Sequence, residues 1–205
     1  MNDQVRFLRP SDLRQLSELV GGRKARPFVL WHGRRYATGG HTSLEFFNTD
    51  GAQQDFGNMD QTGIEHISNM VTARKADKPI LIEKIGVAWL TASDYVTAAN
   101  ITDFMYVMNG GMFTLEVNNN PVFECAPIGY MGSPVVYGGI AQAGGGASAY
   151  TSLPSNLKAP LILDPAIFVE ENVTLRGEYK NTEARTVTTQ GWLTVYLIGV
   201  KYYKA

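Results

Sequence analysis

The closing stretch of the chain, Trp192–Tyr203 (WLTVYLIGVKYY), is apolar at both parities. Trp192, Tyr196, Ile198, Val200 and Tyr202 stand at one parity; Leu193, Val195, Leu197 and Tyr203 stand at the other. A strand with one wet face alternates apolar and polar residues. This pattern therefore predicts a strand covered on both faces. With little helix in the chain to supply the second cover, that cover is expected from another subunit.

Elsewhere the pattern is mostly that of half-buried strands. Val173–Lys180 alternates most cleanly, with Val173, Leu175 and Tyr179 inward and Thr174, Arg176, Glu178 and Lys180 outward. Ile80–Leu90 reads as a long strand after Pro79, and it adds Ile85 and Val87 to the expected core. Ser43–Phe47, Leu161–Leu163 and Ile167–Glu170 are shorter candidates. Phe113–Val117 and Val122–Cys125 flank Asn118-Asn119-Asn120, a hairpin signal. Asn100–Asn109 differs. Ile101, Phe104, Met105 and Met108 fall at helical spacing before the stop Gly110-Gly111, which predicts one short helix. Asn48–Lys78 is polar and Gly138–Ala159 glycine-rich, so both read as long loops. Roughly seven to nine strands with no βα rhythm predict an all-β chain, a single jelly-roll antiparallel β-sandwich with one or two short helices.

Charge divides the chain unevenly. Residues 1–36 hold eight basic against three acidic side chains, and the remainder holds ten against sixteen. The split predicts a basic N-terminal arm over residues 1–40 and a jelly-roll body over 41–205. Within the arm, Ser11 or Asp12 can cap a short helix that carries Leu13, Leu16 and Leu19 on one face and stops at Gly21-Gly22. A helix that short is not stable undocked. Its leucines are therefore expected to dock on the body or on a neighbour, and they join Trp192, Tyr196 and Tyr202 as candidate oligomer-interface residues. Arg23, Lys24, Arg26, Arg34 and Arg35 are the candidates for an arm that faces nucleic acid. No run reaches membrane-spanning length, and the N-terminal residues show no apolar signal region. The expectation is a protein that is intracellular where it is made.

Candidate chemistry is sparse. His32, His41 and His66 are far apart in sequence and lack the His-x-His spacing of a cupin metal site, so they read as surface or loop histidines. Cys125 has no basic neighbour to lower its pKa and reads as a packed thiol. Asp50, Asp55, Asp60 and Glu65 are spaced too widely for a calcium loop and read as solvated charges. Trp31, Trp89 and Trp192 lie in apolar runs, which favours burial over a sugar-stacking platform. The expectation is a non-enzyme without cofactor or metal.

The segment Thr42–Phe47 followed by Asn48 (TSLEFFN), then Asn58-Met59-Asp60 and Pro79–Val87 (PILIEKIGV), resembles the opening of capsid proteins from tailless icosahedral bacteriophages. The helix over Ile101–Met108, its glycine stop, Phe113–Val117, the approach Pro160–Leu163 and the closing Leu197-Ile198-Gly199-Val200 continue that resemblance to about Tyr202. It implies a jelly-roll coat protein of the virion. Such a protein assembles with itself and with other capsid proteins into capsomers and has no active site. The basic arm lies outside the similarity, and packaged genome is its possible partner. The alternative class on the same fold is a carbohydrate- or receptor-binding module.

Overall fold

A computed structural model describes residues 5–9, 12–48, 64–71, 73–91, 103, 106–132, 140–142, 150–152, 159–188 and 190–204. The elements in chain order are β1 (Val5–Leu8), α1 (Leu13–Val20), β2 (Lys24–Tyr36), β3 (Ser43–Phe46), β4 (His66–Ser68) and β5 (Ile80–Thr91). There follow β6 (Met112–Val117), β7 (Asn120–Cys125), a 3-10 turn (Ile128–Met131), β8 (Ile140–Gln142) and β9 (Tyr150–Ser152). The last three are β10 (Leu161–Val169), β11 (Leu175–Lys180) and β12 (Gly191–Tyr203).

Two antiparallel sheets make the sandwich. The larger runs β1-β10-β5-β12-β2-β4 and the smaller β3-β11-β6-β7, with β8-β9 as a separate ribbon. Eight of these strands pair as the two arms of one long folded hairpin. β2 pairs with β12, β3 with β11, β5 with β10 and β6 with β7. Lateral pairing of β12 with β5 and of β11 with β6 completes two four-stranded faces. That connectivity is a jelly roll.

The core lies between the sheets and follows the predicted alternation. Val173, Leu175, Tyr179, Ile85 and Val87 are all buried, as expected. Leu193, Val195 and Leu197 supply the inner face of β12, opposite His32 and Leu30 of β2 and Val87 and Ile85 of β5. Burying each such aliphatic side chain stabilises the fold by about 1.5–3 kcal/mol. Tyr36 packs edge-on against Trp89 and reaches across to Tyr179, with ring centroids 5.4 and 6.5 Å away.

The β6–β7 hairpin turns on Asn118 and Asn119, with φ of 51° and 61°. Two left-handed residues in a two-residue loop match the right-handed twist of the flanking strands. Asn120 therefore opens β7 instead of ending the loop. The predicted strands at Leu161–Leu163 and Ile167–Glu170 are one strand, β10, interrupted by a bulge between Ile162 and Ile167. Within the long polar segment, residues 66–68 add β4 to the edge of β2. Of the expected helix at Asn100–Asn109, Asp103 and residues 106–109 are helical, and Ile101, Phe104 and Met105 lie outside the described residues.

The N-terminal arm is corrected here. β2 pairs with β12 along thirteen residues, from Lys24–Tyr203 to Tyr36–Gly191, and β1 pairs with β10. Residues 24–36 are an inner strand of the large sheet, so no domain boundary falls at residue 40. Of the basic side chains that suggested an arm, Lys24, Arg26, Arg34 and Arg35 sit on this strand, whose exposed first third runs into a buried end.

Candidate functional site

Helix α1 stops at Gly21, in the left-handed conformation with φ 56°, and its leucine face lies on the outer side of the large sheet. Leu16 and Leu19 pack with Val20 against Leu81, Phe168, Val200 and Tyr202. The helix that needed a dock and the strand that needed a second cover satisfy each other within one chain. The cover expected for Leu16, Leu19 and Tyr202 from another subunit is thus supplied, at least in part, within the chain. Trp192 and Tyr196 are likewise buried within the chain, at 2% and 8% exposure. Leu13 lies in α1, with its side chain outside the described residues.

Among the described residues, the sheet edge next to that helix stays open. β1 covers β10 only from Ala166 to Val169. Leu161 and Ile162 extend past it, and Ile162 is 69% exposed. Beside them a groove of about 520 Å³ is lined by Leu8, Leu16, Leu81 and Ile162 together with the charged Arg9, Asp12, Glu83, Lys84 and Asp164. Phe7, on β1, is also more than half exposed.

The five candidate nucleic-acid-facing residues do not form one patch. Arg23 pairs with Glu171 at 3.3 Å, and Lys78 meets the same carboxylate at 3.0 Å. Arg35 pairs with Glu65 at 4.0 Å and donates to Gln190 Oε1 at 2.5 Å. Arg34 turns to the core side, against His66. Arg26 lies over the Tyr203 ring, 5.4 Å from its centroid, and remains exposed with Lys24. Arg23 and Arg35 are thus paired with carboxylates of the body, and Arg26 and Arg34 stand at opposite ends of β2, one exposed and one half-buried.

The outer face of the small sheet has the opposite character. Arg176 on β11 stands among Glu45, Glu116 and Glu178, at 2.5, 3.2 and 3.5 Å. Lys180 closes on Glu178 at 3.0 Å. The Arg176 hydrogen bond to Glu45 is the main reason that carboxyl is held below its usual range. One sandwich thus presents a charged ladder on one outer face and a helix-covered apolar surface with an open groove on the other.

Sequence reasoning missed a third grouping. His32 and His66, expected as separate surface or loop residues, meet with Nε2 of His32 3.3 Å from Nδ1 of His66. They meet because β4 pairs with β2 in a register that puts His66 opposite Arg34 and Ser68 opposite His32. His32 is fully buried. Spacing alone gave no signal, since the residues are brought together by sheet pairing across a long segment. His41 stays apart, accepting the Ala37 N–H at 3.1 Å and lying edge-on to Tyr36.

Burial pushes the Cys125 thiol up, which favours its protonated form. Asp50, Asp55 and Asp60 lie outside the described residues; Glu65 is the half-exposed partner of Arg35. Among the described residues, no three His, Cys, Asp or Glu side chains converge as a metal site, and no helix is long and apolar enough to cross a membrane. Compared with protein-family models, curated proteins and solved structures, the chain finds no match.

Proposed function

We propose that this chain is a structural coat protein of a virion, a jelly roll that assembles with copies of itself and with other shell proteins. The observation that supports it best is the open edge of the large sheet. Among the described residues, the jelly roll ends there in exposed Ile162, Leu161 and Phe7 beside the groove. An edge of that kind is a template for pairing with another chain, and a shell makes use of it on every copy. The resemblance over Thr42–Tyr202 points the same way. Contact with packaged nucleic acid is confined in this reading to the exposed Lys24 and Arg26 end of β2.

The test is assembly. Purified protein concentrated across a range of salt and pH forms discrete symmetric oligomers, seen by sedimentation and electron microscopy. Ile162→Asp abolishes them and leaves the thermal midpoint of the isolated chain unchanged. A protein that stays monomeric under every condition overturns the reading.

A second reading rests on Tyr106 and Tyr130. They are 55% and 58% exposed and stand on two turns that touch where Gly129 meets the Met108 carbonyl. Exposed aromatic rings on neighbouring turns suit stacking on sugars, as in a receptor-binding module. A glycan array that shows specific binding lost in Tyr130→Ala supports that alternative.

A further inference from the structure

His32 stands on the core side of β2, and its ring tautomer is fixed by its neighbours. Its Nδ1 accepts the backbone N–H of Phe47 at 2.7 Å. A neutral imidazole carries one proton, so that proton sits on Nε2, which lies 3.3 Å from Nδ1 of His66 on β4. Arg34, two residues along the same face of β2, lays its guanidinium against the His66 ring. A proton added to either imidazole therefore enters a buried site beside a permanent cation.

Phe47 is the second half of the arrangement. It follows β3 directly and is fully buried with φ of 60°. That left-handed conformation is disfavoured for a bulky side chain, so surrounding contacts must impose it. Three do so. Its N–H is held by His32, its carbonyl accepts the Arg74 N–H at 3.0 Å, and its ring lies edge-on to the His32 imidazole at 5.8 Å. The His32 bond thus ties the large sheet, through β2, to the turn that leaves the small sheet.

We propose that the His32–Phe47 bond is a proton-released latch between the two sheets. Protonation of His32 puts a hydrogen on Nδ1, opposite the Phe47 N–H, and the bond becomes a repulsive contact. His66, charged in the same way, is repelled by Arg34 and by His32, so β4 leaves the edge of β2 as the Phe47 turn relaxes. Core strands β5, β6, β11 and β12 take no part in the opening.

The charged groups around the latch are Arg34 on β2, Glu65 just before β4, Glu45 on β3, His41 between β2 and β3, and Arg74, whose field falls on Glu45. Glu65 and Glu45 act on Arg34 and help keep it charged. Burial, then His66 and Arg34, hold His32 down at about 3; burial and Arg34 hold His66 at about 4. In the opened form both return to about 6.5. The closed form is therefore fully favoured above about pH 6.5, and opening gains as pH falls from there toward the closed-form values. Between about pH 7 and about pH 5 the opening equilibrium rises about 25-fold for one imidazole and about 600-fold for two.

Hydrogen exchange on the whole chain, corrected for intrinsic rates, tests this. Between about pH 7 and about pH 5, protection at the amides of Phe47, Arg74 and Asn69 falls by more than two orders of magnitude. Leu115 and Gly177 keep theirs. His32→Asn places an amide oxygen where Nδ1 stood and does not titrate, which cuts the fall to the share of His66. His66→Asn makes the complementary cut and serves if the first variant does not fold. Protection at Phe47 that tracks Leu115 in the unmodified chain overturns the latch. So does an unchanged pH dependence in the variants, or nitrogen chemical shifts showing His32 protonated at Nδ1 at neutral pH.

Discussion

The rings of Phe168, on β10, and Tyr202, on β12, lie 6.4 Å apart and tilted by 56° beneath helix α1. They belong to strands separated by β5 in the sheet, with Leu81 of β5 between them in the same cluster. Leu16, Leu19 and Val20 complete the patch from above. This small second core converts an N-terminal segment with little helical stability of its own into part of the sandwich.

Removing residues up to 22 is expected to leave a folded but less stable body, with Leu81, Phe168 and Tyr202 newly exposed. Binding of an apolar dye and a lowered thermal midpoint report this. Removing residues up to 36 is expected to prevent folding, because β12 then loses its thirteen-residue partner. Circular dichroism of the two truncations separates the outcomes. A sandwich that survives the longer truncation contradicts the pairing.

Leu175→Ala is expected to cost about 2–5 kcal/mol, the range for emptying a fully buried leucine site. Leu175 has no exposed surface, and it lies in the core on the strand between β3 and β6. Denaturant unfolding measures the loss. A cost under about 1 kcal/mol would place this side chain at the surface.

Gly199→Ala tests the bulge where β12 and β5 change register. A Cβ at that position would stand 1.9 Å from the carbonyl oxygen of Leu81, a backbone atom that cannot rotate away. The strands must part locally, and a loss of at least about 1–3 kcal/mol is expected from the overpacking. A substitution without effect on unfolding would show that the two strands are farther apart here.

Arg176→Met leaves Glu45, Glu116 and Glu178 facing one another on the outside of the small sheet. On a partly exposed surface the expected loss is about 1 kcal/mol at neutral pH. Glu45 titrates below its ordinary value in the folded chain. Its contribution is therefore present above the ordinary carboxyl range and disappears as pH falls through the lowered folded value. The difference between variant and unmodified protein is expected to shrink on acidification and in about 1 M salt. A difference that grows in acid contradicts the assignment.

The pattern of apolar and polar positions by itself marked strands β5, β6, β11 and β12 and the inward residues of β11. Alternation in Val173–Lys180 placed Leu175 and Tyr179 in the core, because side chains in a strand point to opposite faces every second residue. Gly21 and the Asn118-Asn119 pair marked a helix stop and a turn through their tolerance of positive φ. The double apolarity of Trp192–Tyr203 required two covers, and the leucine face of α1 required a dock. Only the tertiary structure decided that these requirements meet in one chain, since a hydrophobic pattern specifies burial without specifying the partner. The same limit hid β2 behind its charge. Arg23 and Arg35 look like an exposed arm until Glu171 and Glu65 are seen beside them. It also hid the meeting of His32, His66 and Phe47, which depends on sheet register and on one left-handed turn. Pairing between distant strands is set by the packing of the whole, and no local spacing encodes it.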